Sequence, residues 1–476
     1  MKRRSLTLIL FASLVLFAPL RSSADPDIMQ DPREMSFRPI VFQPPKAERV
    51  VLSNGMILYL LEDHELPLVS LQAMIRVGDI YEPADKIGLA GITGSVMRTG
   101  GTRNHSGEEI DEVLDQIAAR LSVGIGSTSG NVSLDTLKKD FDLGLELLAE
   151  MLIHPVFDQE KLVIAKNAAL EGIRRRNDRP ASVASRTFWK QLYGKDNPYA
   201  RESTEATIKA IERSDLVAFH QKFFAPNNMI VGITGDLTKD EMISKIEKAF
   251  AGWKGKDIDF PEVPAVVERD KGAVYKISKA IPQTQVRIGH LGIKQKNPDF
   301  FALSIMNDIL GSGGLTSRLF QDVRTRQGLA YSVGSIFRPG KFERGVFLAY
   351  GATRTEMTLQ AVSSMIKQIE GIRAAAVSDE ELSRAKDAFL NSFIFSFSSP
   401  AQIVGRQMSL EYFDLPPDYL EQYRENVARV TKADILRVAK QYLHPDRLII
   451  VAVGDETRFD RPLSTLGAVE EIVLTE

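Results

Sequence analysis

The sequence predicts an α+β protein of two homologous α/β halves, each with a mainly antiparallel sheet covered by helices, the pair enclosing a cleft. Three observations carry that expectation. Strand-like alternation opens the regular part of the chain, helical periodicity follows it, and the same order of segments returns about 220 residues later. A chain of 476 residues also exceeds what one compact core usually spans.

The N-terminus is a separate matter. Met1, Lys2, Arg3 and Arg4 precede an apolar run from Leu6 to Leu20, and Ser22, Ser23 and Ala24 stand before Asp25. A charged start, a short apolar stretch and small residues at the end are the marks of a secretory signal peptide, expected over residues 1–24 with cleavage after Ala24. The apolar run is shorter than the roughly 20 residues a bilayer span needs. A periplasmic location is the expectation, with no stable membrane span after signal removal, because no later segment holds 18 uninterrupted apolar residues. Cysteine is absent. Disulfides, thiolate ligands, a cysteine nucleophile and lipid attachment at the cleavage site are therefore excluded. Residues 25–46 are proline-rich without sustained period and read as a linker.

The first half is expected over residues 47–265. Val50 to Leu61 reads as two apolar strands around a Ser53-Asn54-Gly55 turn. Val69, Leu71, Ala73, Ile75 and Val77 alternate with other residues, the period of a strand with one buried face. Ser106 and Glu109 form a capping-box signal, and Ile110, Val113, Leu114, Ile117 and Leu121 follow at helical spacing. Leu137, Phe141, Leu148 and Leu152 mark the next helix, which His154 and Pro155 end.

The second half is expected over residues 266–476. Residues 160–186 lie over 380–406 at an offset of 220 without gaps, pairing Leu162 with Leu382, Lys166 with Lys386, Pro180 with Pro400 and Arg186 with Arg406. A second block, Asp215 to Pro226, matches Asp434 to Pro445 at an offset of 219. The apolar strands that follow end in Gly235-Asp236 and in Gly454-Asp455. Repeats this long are domains rather than solenoid units. Two such lobes are expected to face each other across a cleft, where sites commonly lie.

Composition narrows the function classes. Sixty Lys and Arg against 62 Asp and Glu leave a formal net charge of −2, with no basic stripe for a phosphate backbone, so nucleic acid is not an expected partner. Gly126-Ser-Thr-Ser-Gly130 lacks the Gly-x-Ser-x-Gly spacing of a serine nucleophile elbow.

Two halves of this size, strand-turn-strand at the start, Gly78 and Glu82 followed by Gly88-Leu-Ala90, and closing strands ending in Gly-Asp resemble the pitrilysin/insulinase family of zinc metallopeptidases. Relatives there include the processing-peptidase subunits, and the resemblance covers about residues 47–460. In active members Gly-Leu-Ala runs directly into His-x-x-Glu-His. Histidines at i and i+4 share one helical face and reach one Zn²⁺, and the intervening Glu deprotonates the bound water. A glutamate 77 positions on completes the ligand set, as the resemblance implies. Here the four positions are Gly91, Gly94, Ser95 and Gly172. Glu171 is adjacent, but one residue turns a helical side chain by about 100°. No metal or other cofactor is thus expected on this chain. Without the resemblance, the five glycines between Gly88 and Gly101 read equally well as a flexible loop or a close helix–sheet contact.

The second half keeps something. From Gly311 to Val333 it resembles the family segment carrying an arginine seven residues before a tyrosine, here Arg324 and Tyr331. The resemblance implies that this pair crosses to the zinc-bound substrate, Tyr331 donating to the oxyanion and Arg324 holding a substrate carbonyl or carboxylate. Taken singly, Arg324 reads as one more helix arginine beside Arg318 and Arg326, and Tyr331 as a core-filling strand residue. The expected function is that of the zinc-less subunit of an exported heterodimeric metallopeptidase, inactive alone. A homologous zinc-bearing subunit and peptide substrates are its expected partners. The alternative is a non-catalytic peptide-binding or scaffolding protein.

Overall fold

The computed structural model of the chain describes residues 43–474. The signal peptide and all but the last residues of the linker lie outside the described residues. Residues from Pro44 onward form one compact unit.

The first sheet contains β1 (Glu48–Val51), β2 (Ile57–Glu62) and β3 (Leu68–Ile75), and helices α1 (Leu89–Thr99) and α2 (Gly107–Gln116) follow. Then come β4 (Arg120–Ile125), β5 (Gly130–Leu137), α3 (Phe141–Ile153), α4 (Gln159–Arg174), α5 (Pro180–Tyr193), α6 (Glu205–Ala210) and α7 (Arg213–Phe223). Strand β6 (Met229–Gly235) and α8 (Lys239–Ala249) close this part. The second sheet opens with β7 (Ala273–Ser278) and β8 (Gln283–Leu291), followed by α9 (Phe300–Asn307), β9 (Ala330–Arg338) and β10 (Val346–Arg354). Helices α10 (Thr358–Ala374), α11 (Asp379–Phe395), α12 (Pro400–Tyr412), α13 (Tyr419–Arg429) and α14 (Lys432–Tyr442) precede β11 (Ile449–Gly454) and β12 (Val469–Glu471).

Both sheets have six strands, in the orders β1-β2-β6-β3-β5-β4 and β12-β7-β11-β8-β10-β9. Apart from the outermost strand the two orders superimpose, β2 on β7, β6 on β11 and β3 on β8. Among the described residues, the one parallel pairing of the first sheet, β2 with β6, has its counterpart in β7 with β11. The duplication read from the sequence is therefore a duplication of topology. In β3 the burial alternates as expected of a half-buried strand, Val69, Leu71, Ala73 and Ile75 facing the core. By contrast β6 and β11 are buried almost throughout, because helices cover both of their faces.

The second cover comes from the other half. Helix α5, which follows the first sheet's helices in sequence, packs on β8 and β11 of the second sheet, with Val183, Ala184, Phe188 and Leu192 against Tyr275, Ile277, Val451 and Val453. Its sequence counterpart α12 packs on β2, β3 and β6 of the first sheet, placing Val404, Met408 and Tyr412 against Tyr59 and Ile230. Each helix begins with proline at its first turn, Pro180 and Pro400, where the missing N–H has no helical partner to lose. Gly232 on β6 makes the approach possible. A Cβ there would stand 2.5 Å from Met408 Sδ and overlap Val404. Polar contacts seal the exchange: Arg49 pairs in two bonds with Glu411, at 2.9 and 3.0 Å, and Tyr59 Oη donates to the same carboxylate at 2.9 Å.

Two expectations need correction. Leu121 is not in the helix begun by Ser106. That helix ends at Gln116, Ala118 turns the chain at φ 50°, and Leu121 sits in β4, paired with Leu134. Leu137 is likewise the last residue of β5 rather than the start of α3. Helical spacing continued by accident across a tight turn, and cross-strand pairing decided both cases. The Ser106–Glu109 capping box itself forms, with both reciprocal bonds present.

Candidate functional site

The glycine-rich stretch from Gly88 is a helix, not a flexible loop. Gly88 enters it at φ +108°, and Glu82 holds the entry by accepting from the amides of Gly88 at 2.9 Å and Ala90 at 2.6 Å. Burial pushes the Glu82 carboxyl up to about 7 against those two bonds. Arg201 ties the preceding turn, donating to the carbonyls of Asp79 and Glu82.

On α1, Gly91 and Ser95 are exposed one turn apart, and a Cβ at Gly91 meets nothing within 4 Å. Helix α4 packs beside α1, and a Cβ at Gly172 also meets open space. Of the three ligand positions that the resemblance implies, Gly91 and Gly172 thus face open space with no side chain, and Ser95 is exposed. Gly94 differs from the others. It is buried, and a Cβ there would lie 3.1 Å from the Ile125 amide nitrogen, so α1 rests on β4 at the distance a glycine allows. Among the described residues no group of three or more His, Cys, Asp or Glu could hold a metal ion. The donor set does not fit zinc.

The second sheet presents a different constellation. Arg324 lies in a π-helical turn over Phe320–Arg326, and Tyr331 is the second residue of edge strand β9. Such wide turns are rare and recur at functional sites. The Arg324 guanidinium carbon is 4.6 Å from the Phe320 ring centroid and 5.2 Å from that of Tyr331, cation–π contacts that align the two side chains. Tyr331 is 74% exposed. It is not a core residue, contrary to the bland reading of a strand tyrosine. No hydrogen bond or ion pair holds either head group among the described residues. Arg318 and Arg326, the arginines most easily confused with Arg324, are both engaged. Arg318 makes a two-bond pair with Glu381, at 2.6 and 2.8 Å, which holds that carboxyl down to about 2. Arg326 pairs with Asp322 at 3.1 Å.

Sequence reasoning did not single out the residues that brace this pair. Asp322 is buried and accepts from Gln327 at 3.0 Å and from Gln368 of α10 at 2.8 Å, fixing the π-helical turn to the helical layer. Gly311 permits a close approach to β9, since a Cβ there would stand 2.5 Å from the Ser335 amide. A buried aspartate four residues before an arginine looks like an ordinary helical ion pair, so no local signal distinguishes it.

Comparison with known proteins identifies the family and the fold. The family model described as insulinase (peptidase family M16) matches residues 59–202, and that described as peptidase M16 inactive domain matches residues 210–389. A Bacillus subtilis protein named uncharacterized zinc protease YmxG is 24% identical over 74% of this chain and 85% of its own length. A Helicobacter pylori protein named non-peptidase homolog YmxG is 24% identical over 83% of this chain and 91% of its own. Among solved structures, a peptidase M16 inactive domain from Pseudomonas fluorescens superposes with a TM-score of 0.78 at 27% identity, covering 86% of this chain and 98% of that one. The periplasmic protease PqqL from Escherichia coli superposes over 88% of this chain and 48% of its own, with a TM-score of 0.73 at 18% identity.

Proposed function

The chain belongs to the insulinase, or M16, peptidase family, and on that premise we propose that it is the zinc-less subunit of an exported heterodimeric metallopeptidase. Its role is to supply Arg324 and Tyr331 to a substrate held at the zinc of a homologous partner subunit. The observation that carries the reading is the state of that pair: two exposed side chains in cation–π contact, whose head groups make no hydrogen bond or ion pair among the described residues. In a chain whose own metal positions are Gly91, Gly94, Ser95 and Gly172, an oxyanion donor has use only when another subunit brings the metal.

Tyr331 Oη donates to the oxyanion that forms when water attacks the scissile carbonyl, and Arg324 orients the substrate backbone through its fixed fork of donors. The π-helical turn and Asp322 keep the two groups at one spacing as the substrate enters. Zinc in the partner would polarise the scissile carbonyl and lower the pKa of the attacking water. Exposed apolar residues support an interface role on both faces concerned. Ile164 lies on α4 about two turns before Gly172 and about 80° from it round the helix, and Leu315 precedes the π-helical turn. Export through a signal peptide at residues 1–24 belongs to the same reading. Among the described residues no helix is long and apolar enough to cross a membrane.

The test is reconstitution. Co-expression with a homologous chain bearing His-x-x-Glu-His should give a complex of about twice the single-chain mass on gel filtration, with peptidase activity that neither chain has alone. Two persistent monomers at micromolar concentration, or an active single chain, would refute the split arrangement. The scaffold alternative is consistent with the relative named non-peptidase homolog, but it gives the exposed Arg324 and Tyr331 no use.

A further inference from the structure

The second half holds a cavity in the place where the first half holds its vacated metal face. The offset of 220 that lays residues 160–186 over 380–406 puts Gly172 on Ser392, and Ser392 lines a cavity of 460 Å³ between α9, α11, α12 and α13. In the chain, α9 follows β8 as α1 follows β3, so both sites lie between equivalent helices. The volume is that of an ordinary small-ligand pocket.

Its walls are aromatic, with Phe301, Phe389, Phe393, Tyr419 and Tyr423 among them. Phe301 stacks on Tyr419 at 5.7 Å and Phe393 on Tyr423 at 4.5 Å. The phenol hydroxyls of Tyr419 and Tyr423 bond to no group among the described residues, and burial pushes both up to about 12, so they remain neutral donors. One cation reaches the cavity, Arg406 of α12. Its Nη2 donates to Ser396 Oγ at 2.9 Å, and no carboxylate pairs with it among the described residues. The opening continues along α11 and α12 as a groove lined by Gln402, Gly405 and Phe395, the last 73% exposed.

We propose that this cavity binds the carboxyl terminus of a peptide ending in a large apolar residue. The terminal side chain fills the aromatic chamber, the terminal carboxylate pairs with Arg406, and the preceding residues lie in the groove beside Phe395. An apolar chamber with a single unneutralised guanidinium at its edge selects an apolar body carrying a carboxylate. The choice of a peptide as its source rests on the reading of this chain as part of a peptidase. Binding requires no partner subunit, so it is measured separately from that reading.

The experiment is calorimetric titration of the full chain with acetyl-Ala-Ala-Phe as free acid, with its C-terminal amide, and with decanoate. The acid should bind about tenfold or more tightly than the amide, the loss of one charge-assisted pair. Arg406→Gln should bring the acid down to the level of the amide. Ser392→Trp, at an exposed position on the rim, should abolish binding of both while leaving the thermal melt unchanged. Equal affinity for acid and amide, absence of binding, or undiminished binding to Ser392→Trp overturns the proposal. Decanoate binding in the absence of peptide binding overturns it as well, since the site would then serve a lipid acid.

Discussion

The Arg324 guanidinium stands 5.2 Å from the centroid of the Tyr331 ring, so that two residues seven positions apart act as one exposed unit. In the reconstituted pair, Tyr331→Phe removes a single hydroxyl and should lower kcat by about 10²–10³, the range for a lost oxyanion donor. KM should move much less, because that bond strengthens chiefly in the transition state. Arg324→Ala should change both, since it removes a substrate contact and uncovers one face of the Tyr331 ring. Arg326→Ala is the control: Arg326 is exposed, and its buried partner Asp322 keeps two amide donors from Gln327 and Gln368, so the loss of this pair should leave the turn in place. Wild-type activity in Tyr331→Phe would leave the scaffold reading as the better one.

Metal analysis of the purified chain should find no stoichiometric zinc, because Gly91, Gly94, Ser95 and Gly172 carry no ligand or base. Nor should the site be easily rebuilt. Gly91→His with Ser95→His is sterically free and should bind zinc weakly through two imidazoles. Adding Gly94→Glu drives a side chain toward the Ile125 amide and should cost about 1–3 kcal/mol of stability, read by urea denaturation. A stable variant carrying these three substitutions together with Gly172→Glu, and binding zinc tightly, would show that α1 can lift from β4.

The exchanged helices should make the two sheets unfold together. A single transition in urea, coincident by far-UV circular dichroism and by Trp189 and Trp253 fluorescence, is the expected outcome. Met408→Ala should lower stability by about 2–5 kcal/mol while the transition stays single. Gly232→Leu, which meets Val404 and Met408, should damage the fold more than Met408→Ala does. Two separated transitions in the wild type would mean that α5 and α12 do not couple the halves.

Acid should destabilise the chain through two histidines. His220 donates to the Leu152 carbonyl at 2.8 Å, while His290 donates to the Leu291 carbonyl at 2.8 Å and accepts from the His444 amide at 3.0 Å. Burial holds both down to about 4, against 6.5 for a free imidazole. A depressed folded pKa contributes stability that is fully present above 6.5 and is lost as pH falls toward 4. Between pH 7 and pH 5 each histidine should therefore remove roughly 1–2 kcal/mol of unfolding free energy. Burial raises the Glu82 carboxyl to about 7 and that of Asp308 to about 6, which adds stability as pH falls and offsets part of this loss. The histidine contribution is therefore read as the difference between wild type and His220→Asn in the change of unfolding free energy from pH 7 to pH 5, and no difference would mean that His220 does not stay neutral.

What the chain itself determines is the duplication and the chemistry of its positions. Offsets of 220 and 219, Gly91, Gly94, Ser95 and Gly172 in place of a metal set, and Arg324 seven residues before Tyr331 are all readable without coordinates, because each depends on residue identity and spacing. The capping box at Ser106 is readable for the same reason: its bonds span three residues. Tertiary structure decided the rest. Leu121 and Leu137 join strands because cross-strand partners outweigh a helical spacing that spans a turn. Pro180 and Pro400 announce two helices, but nothing local says that each one covers the other half's sheet. Arg324 and Arg326 are two residues apart and chemically identical; Asp322 four residues before Arg326 is a local pairing, but only the fold buries that aspartate and brings the Tyr331 ring to Arg324. Spacing along a chain encodes which groups are available; burial and long-range packing choose which of them remain free.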